Sequence, residues 1–385
     1  MGGLAIFSST MAKNPALPLY AGVLNVPDRT LGFVAAASTI VGIIVSFPAA
    51  ALSDYIGRRR LLLIAAVVFA TAPFGYLLVN GVWSLVLVRI YHGLATAILG
   101  PIAMAAVADT FDKGRGERMA WYSSATMVGR FLAPLLGGAL IMNNGTDFHW
   151  LYIVDGILGV LAFTAALLIK FPSRPIPPAA AAGKPKRNIG KEIIDIVTHR
   201  GILSTSLIEA VQYFASGAVE TYLPRYLTEK TTFTSLQIGS LFTAQIIVAA
   251  LTKPLMGKLS DKFGRLPVIF GGLMFGGLVT LSLGFTTNYI ILMILTGSFG
   301  LGLSTVTAST SALVADITKS TNRGSAMGLL STIMDIGQSA GPIVTGFIVG
   351  AFQYQPAFLT VGLLMIAAGL LYPLAMRKVD IRIAS

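Results

Sequence analysis

A short phrase occurs twice in this chain, each time between two long apolar runs. Leu52-Ser53-Asp54-Tyr55-Ile56-Gly57-Arg58-Arg59-Arg60 returns as Leu259-Ser260-Asp261-Lys262-Phe263-Gly264-Arg265, and Asp54 to Asp261 is a spacing of 207. A basic loop cannot enter hydrocarbon cheaply, so both copies belong at one face of a membrane. The chain must therefore cross the membrane in two similar halves.

Composition agrees. Of 385 residues, 55% are hydrophobic and 11% charged, whereas soluble domains carry about a quarter charged residues. The net charge of +12 sits in short loops, with no basic face interleaved with aromatics, so nucleic acid is not the expected partner. Zero cysteines exclude disulfides, thiolate metal sites and thiol nucleophiles. The N-terminus lacks a basic region ahead of its apolar stretch, so no cleavable leader is expected.

Windows long enough to cross a ~30 Å hydrocarbon core fall at 3–23, 31–51, 60–80, 83–108, 119–142, 150–170, 202–227, 235–256, 266–285, 288–315, 324–350 and 355–376. These are expected to be helices, since lone strands leave backbone groups unpaired in lipid and barrel strands alternate instead. One set of loops plus the C-terminal tail holds 21 of the 28 Lys and Arg residues. The positive-inside rule then puts both termini in the cytoplasm of a multi-pass protein of the cytoplasmic membrane. The predicted organisation is an N-terminal six-helix bundle (1–171), a Pro-, Ala- and Lys-rich cytoplasmic linker (172–201) and a C-terminal six-helix bundle (202–385). The fold class is all-α, twelve transmembrane helices in two bundles related by a pseudo-two-fold axis.

The repeat extends beyond the phrase. Val107-Ala108-Asp109 returns as Val314-Ala315-Asp316 at 207, and Gly129 to Pro134 aligns with Gly337 to Pro342 at 208. Parallel repeats of this kind place a small-molecule site between the halves near the midplane and let one half rock against the other.

At these residues the chain resembles the major facilitator superfamily, and within it the twelve-helix drug or metabolite:proton antiporters. Its loop signature, Gly-x-Leu-x-Asp-x-x-Gly-Arg, is complete from Gly257 to Arg265, while Ala50 replaces the leading glycine of the first copy. The resemblance makes Asp54, Gly57, Arg58, Arg59, Asp261, Gly264 and Arg265 a conformational gate. Physically, Gly57 and Gly264 permit a tight turn, and the aspartates can accept hydrogen bonds from a helix N-terminus or an arginine. Arg89 and Gly93 match an Arg-x-x-x-Gly pattern of the fourth helix in proton-coupled members. Gly129, Pro134 and Gly138 match a fifth-helix motif of exporters, with Arg130 and Ala133 as departures; Gly337, Gly341 and Pro342 are its twin. Small residues let helices approach, and proline permits a bend, so packing is the role expected of these positions.

Charges inside spans are costly and functional by default. Lys13, Asn14, Arg89, Arg130, Glu220 and Asp335 are therefore the candidate substrate and proton pathway. The repeat sets Asn14 at the depth of Glu220 (spacing 206), Arg89 opposite Thr296 and Arg130 opposite Gln338. Glu220 is the first choice for a protonatable coupling group, because a carboxyl alternately exposed to two faces can carry protons. Asp335 and Glu209 follow, and an ion pair of Asp335 with Lys253 or Arg130 is the competing structural role. Lys13 is expected to meet a substrate or a carboxylate. His92 reads as a core histidine with satisfied nitrogens or as a relay member, and no metal-ligand spacing appears. No nucleotide loop or catalytic constellation is present, so neither cofactor nor enzymatic activity is expected, and a proton gradient should supply the energy.

These features predict proton-coupled export of a small organic or amphiphilic compound by a monomeric transporter. Symport or facilitated diffusion of a small organic anion is the alternative within transport, and a non-transporting receptor or scaffold on the same fold the alternative outside it.

Overall fold

The computed structural model describes residues 1–110, 115–142, 145–169, 198–319 and 322–377, without the side chains of Asp54, Ala108, Asp109, Arg115 and Gly116. Most of the expected linker, 172–197, lies outside the described residues. Every predicted span is helical. The first is two helices, α1 (Gly2–Met11) and α2 (Ala16–Val23). The next five are α3 (Asp28–Ile56), α4 (Arg58–Tyr76), α5 (Val82–Thr110), α6 (Arg115–Leu140) and α7 (His149–Leu168). The second half contributes α8 (Arg200–Lys230), α9 (Ser235–Phe263), α10 (Arg265–Leu283), α11 (Tyr289–Asp316), α12 (Arg323–Phe352) and α13 (Tyr354–Met376).

Local chemistry sets several helix ends. Asn288 caps α11, its Oδ1 accepting from the Ile290 and Ile291 amides at 3.0 and 3.2 Å, which satisfies donors that have no partner in the first turn. Thr234 and Gln237 form a reciprocal capping box ahead of α9: Gln237 Oε1 accepts from the Thr234 amide at 2.9 Å, and Thr234 Oγ1 from the Gln237 amide at 3.2 Å. Between α3 and α4, and again between α9 and α10, a single glycine makes the turn. Gly57 and Gly264 both have φ of +92°, a conformation costly for any residue with a Cβ.

Among the described residues, eight helices are long and apolar enough to cross a membrane: α3, α4, α5, α7, α9, α10, α11 and α13. Their large apolar side chains face outward where a soluble protein would not allow it, as with Phe47 at 82% and Leu251 at 71% exposure. The remaining spans are α1–α2, broken into two short helices, and α6, α8 and α12. These are two repeat pairs, first with seventh and fifth with eleventh, and they carry Lys13, Arg130, Glu209, Glu220 and Asp335.

The chain forms two compact units, Met1–Ile176 with Glu220–Ala244, and Pro177–Val219 with Gln245–Ser385. Compactness thus cuts the chain differently from the repeat: part of α8 and the start of α9 pack with the first unit. Inside that unit α3 lies on α5, α4 on α7 and α1 on α6; inside the second, α10 lies on α11 and α13. The core of the first unit is built largely from alanines, among them Ala5, Ala65, Ala72, Ala95 and Ala162. In lipid, association comes from close backbone packing, which small residues allow.

Candidate functional site

The first span breaks at Lys13-Asn14-Pro15. Both the Lys13 and Asn14 amides turn back onto Thr10 O, at 3.1 and 2.9 Å, and proline has no amide with which to continue the ladder. The break projects Lys13 sideways, and its Nζ lies 2.9 Å from Glu220 Oε2 of α8. The side chains are 32% and 17% exposed, so the pair is half-hydrated, neither sealed nor solvated. Lys13 and Glu220 are 207 residues apart, the spacing of the opening phrase. The residue that meets Glu220 is thus its repeat equivalent, while Asn14 next to it is buried.

The same stretch of α8 is fastened at two further points within the first unit. Tyr222 Oη donates to Asp28 O at 3.0 Å. Arg225 faces the Asp28 carboxylate at 3.5 Å and donates to Val26 O at 3.4 Å. Gly22 makes room for it, since a Cβ there would lie 2.5 Å from Arg225 Nη1. Asp28 was not singled out by sequence, because a loop aspartate beside a helix start is ordinary.

The glycine motifs are helix seams. A Cβ on Gly129 would lie 2.7 Å from Gly3 O, and one on Gly337 2.2 Å from Ala210 O. Gly3 and Ala210 are 207 apart, so the α1–α6 and α8–α12 seams are one design used twice. Gly341 continues the second seam against Phe214 O, and Pro342 packs on Gly217. Gly138 abuts Ser235 O, and Pro134 O is approached by Gly239, which joins α6 to the start of α9 in the first unit. The α3–α5 contact repeats too: Gly93 meets Ser38, and Gly300 meets Gln245, each 207 residues on.

Arg89 occupies this α3–α5 seam. It is 3% exposed and donates to Ala35 O at 3.3 Å and to Ser38 Oγ. Its repeat equivalent, Thr296, is buried and bonds to its own helix at Leu292 O. Arg130 is exposed on α6, beside Tyr122, and Asp335 is half-buried on α12. The structure therefore brings Lys13 and Glu220 together, and places Arg89, Arg130 and Asp335 elsewhere.

At the loop signature of the second unit, Arg265 bridges two carboxylates. Its Nη1 meets Asp261 Oδ1 at 2.5 Å and its Nε meets Asp316 Oδ2 at 3.0 Å. Ser260 Oγ accepts from the same guanidinium at 2.6 Å. The planar fork thus ties the ends of α9 and α11. Asp316 was visible only as part of a repeated tripeptide; its partner was not. In the first unit Ser53 Oγ donates to Ala50 O at 2.6 Å, and the side chains of Asp54 and Asp109 lie outside the described residues.

His92 differs from the satisfied core histidine that the sequence favoured. It is buried edge-on between Phe69 and Tyr76, and neither ring nitrogen has a hydrogen-bond partner among the described residues. Among the described residues no three His, Cys, Asp or Glu side chains are grouped to hold a metal.

Comparison with known proteins agrees with the helix order and the repeats. The Major Facilitator Superfamily model matches residues 1–226 and 205–382. A multi-drug resistance efflux pump PmrA homolog of Lactococcus lactis is 26% identical over 381 residues, covering 95% of this chain and 91% of its own. The quinolone resistance protein NorA of Staphylococcus aureus is 23% identical over 352 residues, covering 90% and 88%. Among solved structures, the nucleoside transporter NupG superposes with a TM-score of 0.82 at 14% identity, over 98% of this chain and 97% of that one. A bacterial homolog of the human lysosomal transporter Spinster gives 0.82 at 17% identity, over 98% and 95%. Likeness at such identity speaks for the fold alone. Together with the family match along the chain, it makes this protein a multi-pass membrane transporter belonging to the major facilitator superfamily.

Proposed function

We propose that this transporter is a proton-coupled exporter, moving a small organic or amphiphilic compound out of the cytoplasm by alternating access while protons enter. The observation that carries the reading is the Lys13–Glu220 pair at 2.9 Å. Two repeat-equivalent positions hold opposite charges, inside the spans, in contact and half-hydrated. Full burial would make such a pair expensive to break, by about 3–5 kcal/mol, and full exposure would make it worth almost nothing. Partial hydration lies between, where a single proton on Glu220 can release Lys13. The freed ammonium then offers an anchor to an anionic or zwitterionic solute, and loss of the proton restores the pair.

The names of relatives support export: one is an efflux pump and another a quinolone resistance protein. Quinolones carry both a carboxylate and an amine, the two charges that Glu220 and Lys13 themselves present, so a quinolone is the first probe. The lysine- and arginine-rich loops favour both termini in the cytoplasm.

Proteoliposomes with an imposed pH gradient test the reading. Glu220→Gln is expected to abolish uphill quinolone transport while leaving quinolone exchange between the two sides. Reversing the gradient in wild-type vesicles should reverse net flux. Unchanged uphill transport by Glu220→Gln removes Glu220 from the coupling role, and flux of solute and proton in the same direction replaces antiport by symport.

A further inference from the structure

A second carboxyl, outside the Lys13–Glu220 pair, lies wholly inside the first unit. Asp155 is in the second turn of α7 and 0% exposed. Both of its carboxyl oxygens lack a hydrogen-bond partner among the described residues. Ser8 of α1 faces it, a weak contact that falls outside ordinary hydrogen-bond geometry. Tyr152, one turn earlier on α7, stacks on Tyr76 of α4 with ring centroids 4.7 Å apart and planes within 4°. Both phenol hydroxyls are buried and close no hydrogen bond of ordinary geometry among the described residues, and Arg89 faces that of Tyr76. His92 of α5 stands edge-on to Tyr76 at 6.1 Å, with both nitrogens unpartnered. Four helices thus converge buried polar atoms that close no hydrogen bond of ordinary geometry among the described residues, in a bundle whose core is otherwise apolar.

Buried polar atoms in native proteins are nearly always bonded, and a cluster of exceptions calls for a functional explanation. Charge narrows the choice. An ionised, unpaired carboxylate in an apolar interior is so costly that the group takes up a proton instead. The titratable and charged groups that face this nest are Tyr76 from α4, Arg89 and His92 from α5, Tyr152 from α7 and Tyr20 from α2. α1 and α3 present only Ser8 and the Arg89 acceptors Ala35 and Ser38. Arg89 is thus the one fixed cation facing the nest among the described residues, and it is tied to α3 rather than to Asp155.

We propose that Asp155 is a proton-binding site within the first bundle, neutral while Arg89 holds α3 and ionised when Arg89 turns toward it. Ionisation breaks the carboxyl O–H bond and gives the proton to water. Its departure leaves a negative charge that competes with Ala35 O and Ser38 Oγ for the Arg89 guanidinium. Proton occupancy is thereby linked to the α3–α5 seam. This site goes beyond the Glu220 reading and does not depend on it.

Infrared difference spectroscopy on the purified full-length protein at neutral pH tests the proposal. Protein grown with ¹³C-carboxyl aspartate should show a protonated carboxylic acid band that moves with the label, in the absence of any substitution. Asp155→Asn should remove that band, and Asp335→Asn and Glu220→Gln should leave it. If Asp155→Asn fails to fold, Asp155→Glu in labelled protein should shift the acid band from the labelled to the unlabelled position. No aspartic acid band in the labelled wild type overturns the proposal, as does a band that survives Asp155→Asn or, in Asp155→Glu, stays at the labelled position. Unchanged uphill transport in Glu220→Gln with the aspartic acid band intact removes Glu220 from coupling and leaves this site standing, so the two readings fail separately.

Discussion

At the scale of single residues, geometry separates side chains that composition alone treats alike. Arg265 uses its fork to hold Asp261 and Asp316 at once, and lysine has no such fork. Because Asp261 is 60% and Asp316 39% exposed, solvent screens the pair and each contact is worth roughly 1 kcal/mol or less. Arg265→Lys is expected to lower the thermal unfolding temperature slightly, and Asp316→Asn to give the same decrement alone or combined with it. Additive losses, seen in a double-mutant cycle by thermal shift, would argue against a shared bridge. The Lys13–Glu220 pair allows a sharper test. Lys13→Glu or Glu220→Lys sets like charges together within the first unit, whereas the double exchange restores opposite ones. Unfolding in detergent should show each single variant destabilised by about 1 kcal/mol or more and the exchange variant partly recovered. No recovery would mean that the contact adds nothing to stability.

At the scale of elements, the seams between helices are set where a carbonyl oxygen occupies the place of a missing Cβ. A methyl on Gly337 would lie 2.2 Å from Ala210 O, whereas one on Gly328, in the same helix, meets nothing within 4 Å. Gly337→Val should force α12 away from α8, costing about 1–3 kcal/mol, while Gly328→Ala should be neutral or slightly stabilising. Monodispersity and thermal stability of the purified variants check this contrast; equal behaviour would show that the seam tolerates separation. The same scale shows what sequence spacing resolves. The 207 interval aligned Gly93 with Gly300 and Gly3 with Ala210, and the structure uses each pair for one packing job. It also set Asn14 level with Glu220, one residue away from the side chain that makes the contact. Depth is legible from a repeat to about a residue; the direction in which a side chain leaves a broken helix is not.

At the scale of the whole molecule, the absence of cysteine makes topology directly measurable. Lys262→Cys lies at the basic loop face and Asn80→Cys between the third and fourth spans. Impermeant maleimide should label Asn80→Cys in intact cells and Lys262→Cys only in inverted vesicles. The reverse pattern would place both termini outside. The spans outside those eight helices are themselves a whole-molecule feature. A helix that faced only lipid would have no use for Arg130, Glu209 or Asp335, and the four spans concerned fall at matching positions of the two repeats.

Hydropathy, loop charge and the repeat by themselves determined the helical spans and the order in which they repeat. These are one-dimensional properties, imposed by hydrocarbon thickness and by the cost of burying an unpaired backbone. Only the tertiary structure decided which depth-matched groups meet. It joined Lys13 to Glu220, held Arg89 on α3, tied Arg265 to Asp316, and brought Ser8, Tyr76 and Tyr152 to Asp155. Asp155 lies in an apolar run and was not singled out by sequence. Its meaning depended on which faces of α1, α4, α5 and α7 turn inward, and that rotation is fixed by glycine and alanine seams between helices distant in sequence.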